Sequence, residues 1–243
     1  MSDAPGRRHP RSRPQRAGRW AAALAAAVAV ASTAWLPDER FSSEVVSHLL
    51  VGMVAPVLVV VAGLPVATAH RVGPARVRRW SRTGAVRALT NPGWIAAAFV
   101  LTPWALWLTP LVGVTHQPVA HAVVHAHMLL VGVLFVEHLV GRAPLPVRWS
   151  WPARLLAGAV VIASHGFLGL ALLAQDRPLM AHHGASPAAL ADQRLGAQLM
   201  WVGGEIVAVP LLVWCLWRWI AHEERRARLD DLVRDLERPE AVR

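Results

Sequence analysis

The feature that most constrains this chain is a series of apolar blocks separated by arginine-rich segments. Each block is close to the ~20 residues that a helix needs to cross hydrocarbon. Six are read, over about 20–36, 45–69, 93–112, 119–140, 154–174 and 195–219. Lipid offers no water to a backbone, so each spanning segment must satisfy its own amides as a helix. The expected fold class is all-α: a polytopic membrane helix bundle with about six transmembrane helices. Composition agrees, with 55% hydrophobic and 16% charged residues, against roughly 25% charged in a soluble domain. Trp35, Trp94, Trp149, Trp151, Trp217 and Trp219 fall near block ends, where an aromatic belt sits.

Arginine sets the orientation. All 25 basic residues are Arg, and 22 of them lie before the first block, between the second and third, between the fourth and fifth, or after the sixth. Arg40, Arg177 and Arg194 occupy the other connections. The positive-inside rule then makes both termini cytoplasmic and the protein a multi-pass resident of the plasma membrane. The same distribution turns the net charge of +10 into a topology signal; the partner it implies is the lipid bilayer, and no nucleic acid.

Three segments follow: 1–19, an Arg/Pro-rich cytoplasmic N-terminus expected to be disordered; 20–220, the six-span membrane domain; and 221–243, a cytoplasmic tail. In the tail Leu229, Leu232, Val233 and Leu236 recur at helical spacing, which predicts an amphipathic helix. The first block also reads as a secretory signal with Ala29-Val30-Ala31 at a cleavage site; an uncleaved anchor is preferred.

Ionisable residues inside spans are costly and mark candidate sites. At 1.5 Å per residue, His48 lies about 5 Å from the outer face, His125 about 9 Å and His165 about 14 Å. With His121, these histidines occupy the outer half of three spans. His121, His125 and Met128 share one helix face, and His127 points the other way. Arg194, Gln198, Trp201 and Glu205 form a polar stripe, expected to face the bundle interior with Glu205 beside His165. Glu137 and His138 are expected to reach the membrane interface, and the loop pair His182-His183 is a candidate metal feeder.

Imidazole with thioether suits copper, above all Cu(I). A haem between His125 and His165, or a hydrogen-bonded network that only holds helices together, accounts for the same spacing. Other chemistry is set aside. Ala122 stands where an intramembrane metalloprotease needs Glu after its first His. There is no lysine for a phosphate loop, and Cys215 is the one cysteine. The chain is expected not to be an enzyme.

Four blocks then carry a resemblance. They are Phe41-Ser-Ser-Glu-Val-Val-Ser-His48 running to Gly63-Leu-Pro65, His121-Ala-Val-Val-His125-Ala-His127, Ser164-His165-Gly-Phe-Leu-Gly, and Ala191-Asp192-Gln193 running to Met200-Trp201-Val-Gly203-Gly204. Over about 35–222 the chain resembles the CtaG-type cytochrome c oxidase assembly family associated with caa-type oxidases. The resemblance implies a multi-span protein needed to make active oxidase, a metallochaperone that handles copper for its metal centres. Its matched residues are His48, His121, His125, His127 and His165, with Asp192 as matched acid. Where the family often carries another His, this chain has Glu44, which implies an altered site or a paralogue serving another copper enzyme. On this reading copper is held by His48, His121 and His125 with Met128 or Met200 as soft ligand. His165 and Glu205 form the inner end of the pocket, and Glu44, His127 and Asp192 support it. The partners implied are terminal oxidase subunits and copper donor or acceptor proteins. The alternatives are a haem-binding membrane cytochrome and a metal-free assembly scaffold.

Overall fold

The computed structural model describes residues 13–37, 40–114, 117–140, 143–180 and 186–237. Every regular element among them is helical. Helix α1 covers Arg13–Ser32. Helix α2, Phe41–Leu49, passes through a π turn at Leu50–Val54 into α3, Ala55–Ala62. A basic connector follows, built of α4 (Leu64–Val72), α5 (Pro74–Ser81) and α6 (Gly84–Leu89). Then come α7 (Pro92–Leu108), the short α8 (Leu111–Val114), α9 (Pro118–Val140), α10 (Trp151–Leu173) and α11 (Pro187–Glu237).

Five helical stretches among the described residues are long and apolar enough to span: Ala17–Trp35, Phe41–Ala62, Pro118–Val140, Trp151–Leu173 and Pro187–Arg234. Helix α7 has 17 residues, the lower limit of the roughly 17–25 that span a bilayer. Large apolar side chains such as Leu130, Leu156, Phe167, Ile206 and Val213 point outward, while histidines, a glutamate and an arginine are buried. Polar groups inside an apolar exterior are the arrangement that lipid, and not water, selects.

The second span runs 41–62, not 45–69. Two local features set its course. Pro56 has no N–H to give the carbonyl of Gly52, so the ladder is interrupted and a π turn forms there. At the other end Gly63 adopts φ 70°, a left-handed cap that a Cβ would strain. Arg19 of α1 donates from Nε to Ala62 O (2.6 Å), a carbonyl at the helix end, and from Nη2 to Gly63 O (3.1 Å), which also accepts from Ala67 N. The apolar residues from Leu64 onward therefore begin a new helix. Helix α1 already starts at Arg13, inside the segment expected to be disordered; residues 1–12 lie outside the described residues.

Helices α10 and α11 pack along small residues. A Cβ on Gly169 would sit 2.9 Å from Ala197 O, and one on Gly204 2.9 Å from His165 Cβ. Such close approach is the usual source of helix association in lipid. It also decides which face of α11 turns inward: Gln193, Ala197, Met200, Gly204 and Ala208 are buried. The expectation for the neighbouring stripe is corrected: Arg194, Gln198 and Trp201 are exposed, and Glu205 is half-buried on the flank. Close packing on small side chains outweighs sequestering polar ones, because Trp201 Nε1 donates to Glu205 Oε1 at 2.5 Å and satisfies it one turn away. The segment 221–237 continues α11, and its residues 222–234 are exposed.

Candidate metal centre

With α2 starting at Phe41 and α10 ending at Leu173, the histidines can be placed by depth. At about 1.5 Å per residue, His48 is about 10 Å from its helix end, His125 about 10 Å and His165 about 12 Å. His121, one turn outward of His125, is about 5 Å in. All four stand in the same half of the bundle.

Two small cavities connect them. The outer is lined by Glu44, His48, Trp107, His121, His125 and Met128. The inner is lined by His48, Gly52, Phe99, Thr102, Met128 and His165 among others. His48 and Met128 line both, so they stand between the two cavities. The cavity volumes are about 10 Å³ and about 20 Å³, room for one water or ion. Pro103, which interrupts the ladder of α7 beside Phe99, lines the inner cavity. Phe99 in turn stacks on Phe135 at 4.4 Å, closing the path below.

The atoms facing the path are specific. His165 is 2% exposed, and its Nδ1 donates to Val161 O at 2.9 Å. A carbonyl can only accept, so the neutral ring presents Nε2 as a lone pair, and that atom has no hydrogen-bond partner. His48 is 4% exposed, and its Nδ1 also has no hydrogen-bond partner. The two rings are 6.2 Å apart by centroid. For a metal–nitrogen bond of about 2.0–2.1 Å and about 1.1 Å from nitrogen to ring centre, two imidazoles on one ion stand at most about 6.4 Å apart. The 6.2 Å separation of His48 and His165 falls just inside that limit, which a near-linear nitrogen–metal–nitrogen arrangement reaches, and Met128 lines the same cavity. A carbonyl that fixes the tautomer of the ring, as Val161 O does for His165, is the usual support of a metal-ligating imidazole.

The outer pair is built differently. His121 and His125 meet edge to face at 4.1 Å, and both are half-buried. Glu44 Oε1 lies 4.0 Å from His121 Nδ1. The glutamate therefore sits against the outer histidines and supplies negative charge at the mouth of the path. Among the described residues no three of His, Cys, Asp and Glu converge on one point; the donors run in file, from Glu44 and His121 inward to His165.

Other expected members lie elsewhere. Met200 is fully buried in the apolar core and lines neither cavity. Glu205 bonds Trp201 outside the path. His127 is exposed and shares a 3.0 Å hydrogen bond with Thr102 on α7, as its opposite helix face requires. Asp192 accepts from Ser42 Oγ (2.5 Å) and Ser42 N (3.2 Å). It thereby caps the first turn of α2 from α11, where a carboxylate also complements the helix dipole. His182-His183 lies outside the described residues. The role of Asp192 yields a prediction: Asp192→Ala loses two charge-assisted bonds and should cost about 1.5–3 kcal/mol, read as a lower melting temperature of detergent-solubilised protein. Metal bound per folded chain should not change.

One cluster was missed. Glu137 and His138 do not reach the interface; they are 1% and 2% exposed, and Arg154 is 7% exposed. Glu137 Oε2 accepts from Ala143 N at 2.8 Å, and His138 Nε2 donates to Thr90 O at 3.1 Å. Arg154 donates to Leu139 O and Trp149 O, and Cys215 Sγ to Leu139 O. These groups satisfy the backbone where α9 ends, and tie α9, α10 and α11 together at the end opposite the histidines. The sequence signal was present: two ionisable residues in a row, still inside an apolar block.

The fold and these donors define a class: a polytopic helical membrane protein with a narrow, histidine-lined path entering its interior from one face. The cytochrome c oxidase caa3 assembly factor family matches residues 4–222, and the chain belongs to that family. Uncharacterised proteins of Mycobacterium bovis, Mycobacterium tuberculosis and Mycobacterium leprae are each 28% identical over 209 residues, which is 79% of this chain and 32% of theirs. The chain thus spans about a third of the length of those relatives. No solved structure matches it.

Proposed function

We propose that this protein assists assembly of a terminal oxidase in the plasma membrane by accepting copper at the outer histidines and holding it between His48, Met128 and His165. Both termini are cytoplasmic on this reading, and the path opens on the outer face. One observation carries it: Nδ1 of His48 and Nε2 of His165 are buried and without hydrogen-bond partners, on rings 6.2 Å apart that line one cavity. Leaving such a nitrogen unsatisfied costs about 1–3 kcal/mol. His138 Nδ1, at the opposite end of the bundle, is buried without a partner as well; what sets His48 and His165 apart is that both line the inner cavity, where a coordinated ion would offset the cost. The cavities of about 10 and 20 Å³ suit an ion and are far too small for a porphyrin, which disfavours the haem reading. Imidazole and thioether are a donor set for Cu(I). Ligands spread in file, with a carboxylate at the mouth, suit a cargo that must leave again for a copper acceptor protein or oxidase subunit.

The test uses the outer pair. Purified protein is loaded with Cu(I) and its bound copper counted, with oxidase activity measured in a deletion strain carrying each variant. His121→Ala and His125→Ala should each impair activity about as much as the double variant, because residues of one entry site act as a unit and their effects do not add. His127→Ala, on the opposite face, should retain activity. Full oxidase activity and normal abundance in the double variant would overturn the copper path. A strong Soret band from purified protein would replace it with the cytochrome reading.

A further inference from the structure

The connector α4–α6 does more than carry positive charge. Between Glu44 and Glu137 the sequence holds no acidic residue, so the connector carries its arginines without a carboxylate inside the segment. Together with the loop 143–150 the connector encloses a groove of about 590 Å³, far larger than either cavity of the histidine path. Its walls are of two kinds. Val66, Val77 and Leu145 are apolar, while His70, Arg78 and Arg148 bring cationic or donor groups from two separate stretches of chain. The groove lies where α3 and α9 end and α10 begins, the level at which the apolar spans give way to polar sequence. Pro74, Pro144 and Pro146 add to the apolar part of the lining.

We infer that this groove binds an anionic glycerophospholipid, its phosphodiester held by Arg78 and Arg148 and its acyl chains lying along Val66, Val77 and Leu145. Guanidinium is the side chain best matched to phosphate oxygens, and basic pockets at the polar edge of a helix bundle recruit charged headgroups. The apolar wall is what separates this occupant from a free anion, which has no use for it. The inference is independent of copper and of orientation; it requires only the membrane bundle.

The experiment takes the full chain in a neutral detergent and titrates it with short-chain phosphatidylglycerol, counting bound lipid by native mass spectrometry. Phosphatidylcholine of the same chain length and glycerol phosphate are the comparison ligands. Phosphatidylglycerol should fill one saturable site and bind more tightly than phosphatidylcholine. Arg78→Gln should weaken it about five-fold, and Arg78→Gln/Arg148→Gln about twenty-five-fold. Arg226→Gln/Arg228→Gln, which removes equal charge from the exposed helical tail, should leave it unchanged. Arg148 Nη2 also donates to Ala143 O, so if the double variant melts early the Arg78→Gln comparison decides alone. The site is refuted by equal binding of the two lipids, by parental affinity in Arg78→Gln, or by equal loss in the tail variant. Displacement of phosphatidylglycerol by equimolar glycerol phosphate would show a free-anion site instead and also refute it.

Discussion

His48→Leu is expected to lose copper while leaving the metal-free protein at least as stable as the parent. His48 Nδ1 is buried without a hydrogen-bond partner, so leucine, of similar size, removes an unsatisfied polar atom worth about 1–3 kcal/mol and opens no large cavity. Its copper affinity should fall by more than the roughly 10–100-fold that losing an outer-shell partner costs, since His48 lines both cavities. His165→Leu should lose copper to the same degree, and the double variant should be no worse than either, as for two ligands of one ion. The measurements are Cu(I) affinity by competition with a chelator and melting temperature of the metal-free protein. A hydrogen-bonded network makes the opposite forecast, a lower melting temperature and no copper to lose. Undiminished Cu(I) affinity in His48→Leu would remove this ring from the site.

How much of this was legible in the sequence depends on which force fixed each feature. Span positions follow from apolar block length, and α9 and α10 lie within a few residues of the blocks that announced them. The shared face of His121, His125 and Met128 follows from helical period alone, and so does the turning away of His127 toward Thr102. The end of the second span does not, because hydropathy is blind to a positive φ. Leu64-Pro65-Val66 reads as more of the same span until Gly63 turns the chain and Arg19 caps the carbonyls there. The inward face of α11 was misread for a related reason. Counting polar residues selected Arg194, Gln198, Trp201 and Glu205, whereas the helices met along Ala197, Gly204 and Ala208, where backbones come closest. Glu137 and His138 illustrate a true ambiguity: near the end of a span, a long polar side chain can snorkel outward or turn in to satisfy a helix terminus. Here the amide of Ala143 in the loop after α9 holds Glu137 inside, and the carbonyl of Thr90 at the end of α6 holds His138.

Gly132→Val should prevent accumulation of the protein in the membrane, and Gly132→Ala should destabilise it by about 1–3 kcal/mol. The reason lies in what Gly132 faces. A Cβ there would stand 2.5 Å from Gly52 O and 2.6 Å from Pro56 Cγ. The first of these is backbone, fixed by the π turn that Pro56 creates, so it cannot yield as the end of a flexible side chain would. Ordinary contact begins near 3.4 Å, so α9 must withdraw from α2 and α3 by about 0.9 Å (3.4 − 2.5) to admit one methyl group. That displacement reaches the metal path, because Met128, one turn away on the same face, packs its Cε 3.2 Å from the Cβ position of Gly52. Moving α9 outward separates Met128, His121 and His125 from Glu44 and His48. Gly132→Ala should therefore weaken copper binding even in the fraction that folds, although residue 132 touches no metal. Gly84→Ala is the control, since a Cβ at Gly84 meets nothing within 4 Å, and it should leave both melting temperature and copper affinity unchanged. An unaltered melting temperature in Gly132→Ala would mean that α9 does not lie this close to the carbonyl of Gly52, and the cavities on either side of His48 would lose their structural basis.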